Sequence, residues 1–263
     1  MSSAATMGLP RERWSPPVAA QVGLAVVVLL SLWELLSRTE VIDSRLFSSP
    51  TRVWSTFLEL QAQGLVWGHV WVTAYELLLA TGIVIVVGGL AGVVLGASRL
   101  AFEVTYGPIA TFFAFPKVTL FPIFITALGF GLSSKVLFGA VFGFFPLVMG
   151  TMVGVRGIRM IHRSLLDVVG ATFWFKLRHL YLPAILPAFV AALRIGYVYA
   201  GIGVLLAEMF AAVSGLGNRI IGSGYQRTLD QFWVYVVLAT LLLTLGAGLF
   251  RVLELRLAKW NED

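Results

Sequence analysis

The sequence predicts an all-α membrane protein with about six transmembrane helices. Of its 263 residues, 59% are hydrophobic and 12% are charged, whereas a soluble domain carries about 25% charged residues. The mean hydropathy of +0.90 points the same way. The apolar stretches are long enough to cross roughly 30 Å of hydrocarbon as helices, and they lack the short alternating segments of a membrane β-barrel. Since a helix satisfies its own backbone hydrogen bonds in lipid, helices are the predicted scaffold.

The amino-terminal part of the chain is predicted to contain one span and one outer segment. Residues 1–17 form a short tail, and residues 18–37 form the first span. This stretch extends past the length of a signal-peptide core and has no clear small-residue cleavage site, so we interpret it as a retained helix. Residues 38–69 are polar and contain Pro50, which favours an extracytoplasmic segment with a short helix after the proline.

Residues 70–253 are predicted to form the core domain, with five further spans. A brief loop at residues 129–135 precedes the fourth span. A basic, amphipathic loop at residues 156–186 follows it, and a glycine-rich loop at residues 214–230 precedes the last span. Residues 254–263 form the carboxy-terminal tail. The five predicted core spans are residues 70–97, 106–128, 136–155, 187–213 and 231–253.

The distribution of basic residues predicts the orientation of the chain. An even number of spans places both termini on one side of the membrane. The segments on the same side as the two termini hold more of the 19 Lys and Arg residues than the segments on the other side of the membrane. We therefore expect both tails to be cytoplasmic. The loop at residues 156–186 then also faces the cytoplasm, where ATP and soluble partners are available.

Glycines and prolines recur within the predicted spans. Glycines at four-residue intervals form ridges on which helices can approach closely. Prolines free backbone carbonyls, which fits either kinks from packing or a water-filled translocation path. The glycines are Gly88, Gly92, Gly96, Gly139, Gly143, Gly150 and Gly154, and the prolines are Pro116, Pro122 and Pro146.

Five charged residues lie in or near the spans, where burial of a charge is costly. Lys117 is a candidate contact for an anionic substrate, and a structural pair or a water-exposed position is the alternative. Glu208, near the outer end of the fifth span, is a candidate for an outer gate or a docking surface, with a structural hydrogen bond as the alternative. Arg194 is predicted to snorkel or to brace the basic loop. Glu34 and Glu76 lie near span ends and are predicted to be interfacial.

The residue types present exclude several kinds of chemistry. Cysteine is absent, and the three histidines show no paired metal-ligand spacing, so no metal site is expected. The chain lacks the GxxxxGK[ST] motif of an ATP-binding P-loop. The sequence shows no pairing of a catalytic nucleophile with a general base. The sequence therefore predicts a protein that is not an enzyme, and no nucleic-acid partner is expected.

The basic loop carries a resemblance to a known family. The run GATFWFKLRHLYLPAILP, residues 170–187, resembles the cytoplasmic EAA loop of ABC-importer permeases. In that loop a glycine is followed at fixed distance by Leu-Pro and then by another proline. Gly170, Leu182, Pro183 and Pro187 match this spacing, and Gly170 allows the turn of the loop.

One position of the loop departs from the family pattern. Family members usually carry an acidic residue about six positions before the glycine, whereas this chain has Ser164 there and Asp167 three positions before Gly170. A three-residue shift keeps a side chain on roughly the same helical face, so Asp167 is a candidate replacement. Together with Ala171 and Thr172, these residues form the predicted ATPase-coupling contact.

The resemblance extends over about residues 50–260. It implies the type I ABC importer permease fold, in a multi-pass protein of a bacterial or archaeal inner membrane. The implied partners are a dimer of ATP-binding subunits, an extracytoplasmic solute-binding protein and a second copy of the chain in a homodimer. No cofactor is expected in this chain, because ATP and Mg would be bound by the ATPase subunits.

The matching segments indicate a branch of the family and a translocation path. They resemble the branch that serves taurine, aliphatic sulfonates, nitrate and thiamine precursors, which favours a small anionic solute. Lys117, Pro116, Pro122 and Glu208 are the candidate residues of the path or gate. The segments are FAFPKVTLFPIFITALGFGLSSK, FFPLVMGTMVGVR, LRIGYVYAGIGVLLAEMF and GLGNRI.

The main alternative function is a stand-alone secondary transporter or channel driven by ion gradients. Such a protein would need a relay of intramembrane carboxylates or broken helices in two repeated halves. The sequence shows neither an internal repeat nor a carboxylate cluster near the middle of a span. Without the family resemblance, the basic loop would also fit an amphipathic helix lying on lipid.

Overall fold

A computed structural model of the chain describes residues 18–39, 48–158, 168, 170 and 172–258, and within these ranges it contains helices and their connections without a strand. The described residues form nine longer helices, and a short helical turn (Phe173–Lys176) and a π-helical turn (Leu177–Tyr181) lead into the seventh of them. These helices are α1 (Val18–Arg38), α2 (Pro50–Ala62), α3 (Trp67–Ala97), α4 (Arg99–Ala114), α5 (Phe121–Leu128), α6 (Leu132–Arg156), α7 (Leu182–Ala211), α8 (Leu216–Tyr225) and α9 (Leu229–Ala258).

The predicted fold class, all-α with about six spans, is confirmed. In the described part of the chain, five helices are long and apolar enough to cross a membrane, and the count reaches six if α4 and α5 are one broken span. The five are α1, α3, α6, α9 and the helix that contains α7. Their lengths lie between 19 and 34 residues, so each can cross about 30 Å of hydrocarbon.

The third span, predicted as one helix over residues 106–128, is instead two helices that meet at an angle of 82°. Pro116 lies at the break between α4 and α5 and has no amide N–H to donate to a continuing helix. The residue before it, Phe115, is extended, with φ −62° and ψ 139°, as steric contact with a proline ring demands. Pro122 then lies in the first turn of α5, where a missing N–H costs nothing.

Two other helices begin at residues that differ from the predicted ones. Residues 129–135 were predicted to be a loop, but α6 begins at Leu132 and places Lys135 in its first turn. Lys135 is tolerated there because the fold supplies a buried partner, which a hydropathy pattern does not show. The fifth span was predicted to begin at Pro187, whereas α7 already begins at Leu182, because Pro183 lies in its first turn, where a missing N–H costs nothing.

The short helix predicted after Pro50 is α2. The Ser49 side chain accepts a hydrogen bond from the Arg52 N–H at 3.3 Å and caps the helix. Glu34 of α1, predicted to be interfacial, accepts hydrogen bonds from the backbone N–H of Thr51 at 3.1 Å and from its hydroxyl at 2.9 Å. It also pairs with Arg38 at 2.7 Å. These contacts tie α1, which is largely exposed, to the rest of the bundle.

Helices α6 and α7 pack closely along the core because small residues face each other across the contact. A side-chain Cβ on Gly143 would lie 2.5 Å from the Gly196 carbonyl oxygen and 3.0 Å from the Ala200 Cβ. The other glycines of the predicted ridges also lie at helix contacts. For example, a Cβ on Gly92 would lie 2.6 Å from Thr151 of α6. The glycine ridges therefore lie where helix backbones approach one another, as expected from their spacing.

Candidate functional site

The described part of the basic loop begins with a turn at Gly170. Its φ of +70° is a left-handed conformation, and a Cβ there would meet nothing within 4 Å. The Thr172 hydroxyl accepts a hydrogen bond from the Phe175 N–H at 3.4 Å and caps the helical turn that follows. Ser164, Asp167 and Ala171 lie outside the described residues. The left-handed backbone explains why a glycine is suited to this position.

The same loop presents apolar side chains that are exposed in the described part of the chain. Val168 is 87% exposed and Trp174 is 75% exposed. Phe175 is partly exposed and stacks on the ring of His179, with 4.3 Å between the ring centroids. An exposed group of large apolar residues is typical of a site that binds another protein.

The remaining predicted loop residues mark the start of α7. Leu182 is exposed and Pro183 lies in the first turn, a position that suits proline because its missing N–H would be unpaired there anyway. Pro187 lies inside α7, which continues past it to Ala211. The loop thus leads directly into a helix that runs to the opposite end of the bundle.

Lys117 lies in the short 3-10 turn between α4 and α5 and is 7% exposed. Its Nζ donates to the Phe113 carbonyl oxygen at 2.7 Å and lies 5.0 to 5.5 Å from the ring centroids of Phe113, Phe142 and Phe145. The ammonium therefore compensates the carboxyl end of α4 and is enclosed by aromatic faces. Within the described residues Lys117 forms no ion pair with a carboxylate.

A second group of polar residues is buried where α3 and α6 begin and α7 ends. Three of its members lie on one face of α3, at positions i, i+4 and i+7. The others come from α6, from α7 and from the turn that starts α8. We call this group the polar node, and it comprises His69, Thr73, Glu76, Lys135, Glu208 and Gly215 to Gly217.

An ion pair between α3 and α6 forms one half of the polar node. The Lys135 ammonium donates to Oε1 of Glu76, and the two side chains are 9% and 2% exposed. The second carboxylate oxygen of Glu76 is buried and has no hydrogen-bond partner in the described structure. The expectation that Glu76 is interfacial is therefore wrong: its charge is buried and compensated by a lysine.

Glu208 forms the other half of the polar node and is completely buried. Its Oε1 accepts from the Thr73 hydroxyl at 2.7 Å, and its Oε2 accepts from the Gly217 N–H at 2.7 Å. The Thr73 oxygen in turn accepts from the Leu216 N–H at 2.8 Å. A carboxylate thus lies at the amino end of α8, where unpaired N–H groups and the helix dipole favour a negative charge.

His69 completes the contacts around this turn. The Gly215 N–H lies 3.2 Å from Nδ1 of His69, and the Arg219 Nε donates to its Nε2 at 2.7 Å. Gly215 has φ +109°, and a Cβ at this position would overlap the Glu208 carboxylate. The turn between α7 and α8 is therefore built directly against the buried carboxylate.

The model of the binding-protein-dependent transport system inner membrane component family matches residues 47–259. The chain belongs to this family. It is 30% identical over 268 residues to the riboflavin transport system permease protein of Chloroflexus aurantiacus, an alignment that covers 96% of this chain and 98% of the relative. It is 26% identical over 266 residues to the taurine transport system permease protein of Escherichia coli, covering 96% and 95% of the two chains.

A solved structure has the same fold. A chain of the MetNI methionine ABC transporter, determined in inward-facing conformations, superposes with a TM-score of 0.58 and 20% identity. The match covers 73% of this permease and 97% of that chain. The predicted type I importer permease fold is thereby confirmed. The permease is a subunit of an ABC importer, and stand-alone secondary transport is not favoured.

Most of the polar node of the permease was not predicted from the sequence. Glu208 was a candidate, with a structural hydrogen bond as one alternative, but His69, Thr73 and Lys135 had no predicted role. The available signal was the spacing of His69, Thr73 and Glu76 on one face of an otherwise apolar helix. Their partners lie on helices far along the chain, which the local pattern does not reveal.

Arg194 of the permease also has a partner from a distant helix. Its Nε lies 3.2 Å from Oε2 of Glu254 on α9, and the two side chains are 31% and 26% exposed. The predicted snorkelling is therefore replaced by a contact that joins α7 to α9. Partial exposure to water screens such a pair, so its contribution to stability is small.

Proposed function

We propose that this importer permease receives ATP-driven motion through the loop at residues 156–186 and transmits it along α7 to a translocation path. The exposed Trp174 and Phe175, next to the left-handed turn at Gly170, are the observation that carries the proposal. They stand immediately before α7, which runs without a break to the polar node. A rigid helix that joins the two ends of the bundle can tilt as a lever when its docked end is displaced.

The energy source in this proposal lies outside the chain. The permease family is not itself an ATPase, so we assign ATP and Mg to a dimer of ATP-binding subunits that grips the loop. A solute-binding protein would deliver cargo at the opposite end of the bundle. Two copies of the permease would enclose the path around a twofold axis. Both termini and the loop would lie in the cytoplasm, as the distribution of Lys and Arg favours.

Changing Gly170 to alanine is expected to uncouple ATP hydrolysis from uptake. A left-handed backbone costs an L-residue roughly 1–2 kcal/mol, so alanine shifts the loop away from its docked shape. We expect an ATP-binding subunit to copurify with the wild-type permease and uptake to fall about tenfold in the variant, which corresponds to about 1.4 kcal/mol. Uptake and ATPase rates in proteoliposomes that also contain the solute-binding protein measure both effects.

A matched control for this experiment is Gly64→Ala. Gly64 has φ +72° and, like Gly170, would have no atom within 4 Å of an added Cβ. It lies in the turn between α2 and α3, away from the loop. The backbone cost is therefore the same, but coupling should be retained. Equal coupling in both variants, or a purified complex without an ATPase subunit, would count against the docking role.

We also propose that the transported solute is a small anion. The support is that Lys117 is a buried cation without a carboxylate partner in the described structure, at the break between α4 and α5. Broken helices at membrane depth often provide binding sites in transporters. A relative from Bacillus subtilis is a putative aliphatic sulfonates transport permease, although the relative from Chloroflexus aurantiacus is a riboflavin transport system permease.

Competition for uptake separates anionic from neutral solutes. Sulfonates, nitrate and aromatic carboxylates are expected to inhibit uptake, and uncharged pyrimidines are expected to have little effect. Lys117→Met should weaken inhibition by the anions, while Lys117→Arg, which keeps the charge, should retain most of it. A preference of the wild-type importer for neutral solutes would remove this part of the proposal and leave the importer function intact.

A further inference from the structure

We propose that Thr73 and Glu208 are positioning residues that latch the α8 segment, residues 212–228, over the end of the bundle opposite the basic loop. The latch opens when ATP drives the importer. This inference rests on the proposed function, because it requires an ATP-driven change between the two ends. It assigns to the polar node the control of access at one end of the translocation path.

The polar contacts of the α8 segment with α3 and α7 are concentrated in its first turn. The backbone N–H groups of three successive residues point at side chains of α3 and α7. Gly215 faces His69 at 3.2 Å, Leu216 donates to Thr73 at 2.8 Å, and Gly217 donates to Glu208 at 2.7 Å. Side chains of α3 and α7 thus satisfy the Leu216 and Gly217 N–H groups, which a helix start cannot satisfy itself.

Two glycines allow this close approach. A Cβ on Gly215 would overlap the Glu208 carboxylate, and a Cβ on Gly217 would overlap the Leu205 carbonyl oxygen. The backbone therefore wraps around the carboxylate without an intervening side chain. Leu216, between the two glycines, is completely buried in an apolar cluster with Leu60 and Val66. The turn is therefore held by this apolar contact together with the hydrogen bonds to Thr73 and Glu208.

The charges of the polar node also suit a contact that opens and closes. Two carboxylates, Glu76 and Glu208, lie within electrostatic range of the Lys135 ammonium, which is paired with Glu76 in this structure. The Thr73 hydroxyl and the Gly217 N–H are therefore the groups that stabilise the Glu208 carboxylate in the closed state. When the α8 segment leaves, water must replace the Gly217 N–H at this carboxylate, so opening hydrates this end of the bundle.

Amide hydrogen exchange of residues 215–217 tests the latch. The importer, with its ATPase subunits, is studied in lipid nanodiscs without nucleotide and after trapping with ATP and orthovanadate. Exchange at these amides is expected to become about tenfold faster in the trapped state, because opening exposes them to water. A peptide from the middle of α6 serves as the internal reference. Equal protection in both states would overturn the proposal, since a merely structural node stays closed throughout the cycle.

A pair of Thr73 variants tests the assigned contacts in the nucleotide-free permease. Thr73→Val keeps the shape but removes the hydroxyl that donates to Glu208 and accepts from Leu216. It should speed exchange of the same amides about tenfold, whereas Thr73→Ser should keep them slow. Slow exchange in both variants would refute the latch contacts. Because this second measurement needs no ATPase subunit, it remains decisive if the proposed coupling fails.

Discussion

Replacing Lys135 with methionine is expected to lower the free energy of unfolding of the permease by about 3–5 kcal/mol. The Lys135 ammonium donates to Glu76, and both side chains are buried. Methionine has a similar length but no charge, so the variant leaves the Glu76 carboxylate buried without its cation. The cost arises from that uncompensated charge, because the attraction within a buried pair and its loss of hydration nearly cancel when both partners are present.

The double variant Lys135→Met/Glu76→Gln isolates this cause. It removes both charges, so most of the lost stability should return. Arg99→Met is the control for a broken ion pair at the surface: Arg99 and Glu103 are 80% and 55% exposed, and its loss should cost less than about 1 kcal/mol. Unfolding by SDS in mixed micelles, followed by tryptophan fluorescence, measures all three variants. Equal destabilisation in the single and double variants would show that charge burial is not the source.

Gly143→Val is the second substitution with a large expected effect, because it separates α6 from α7. A Cβ on Gly143 would lie 2.5 Å from the Gly196 carbonyl oxygen and 3.0 Å from Val84 Cγ2. The first of these atoms belongs to a helix backbone and cannot turn away as a side chain can. The two helices must move apart, and overpacking of this kind costs about 3 kcal/mol.

Gly82→Val provides the matched control on α3. Gly82 is exposed, and a Cβ on it would meet nothing within 4 Å. The same change of residue therefore tests helix propensity without the steric conflict and is expected to be nearly neutral. The SDS unfolding assay compares the two variants, and uptake by the reconstituted importer gives a second measurement. If Gly143→Val were as stable as Gly82→Val, the close contact between α6 and α7 would be disproved.

Most of the bundle could be predicted from local patterns. The hydropathy of the long apolar stretches indicates the spans, and the glycine spacing of α3 and α6 indicates the faces on which helices meet. The break at Pro116 was not predicted, although the proline itself was noted. A proline permits a helix to kink by various angles, and the packing of α4 and α5 against their neighbours selects the 82° angle.

The candidate site also contains some residues that the sequence predicts and others that only the structure reveals. Gly170, Leu182, Pro183 and Pro187 belong to one continuous stretch of chain, so their spacing can be recognised from the residues alone. Glu76 and Lys135 are 59 residues apart, and Thr73 and Glu208 are 135 apart. Nothing in the sequence near Lys135 indicates that a carboxylate will meet it, and its position at the end of the brief predicted loop at residues 129–135 favoured a loop assignment.

The residues by themselves therefore predict that the chain folds in lipid as helices and carries a basic loop, because hydropathy and backbone hydrogen bonding act locally along each segment. The folded bundle decides which buried charges meet and which N–H groups of the α8 turn they hold. Those partners converge through helix packing, and the energy of a buried charge depends on all of its neighbours in space. For that reason the polar node becomes visible only in the tertiary structure.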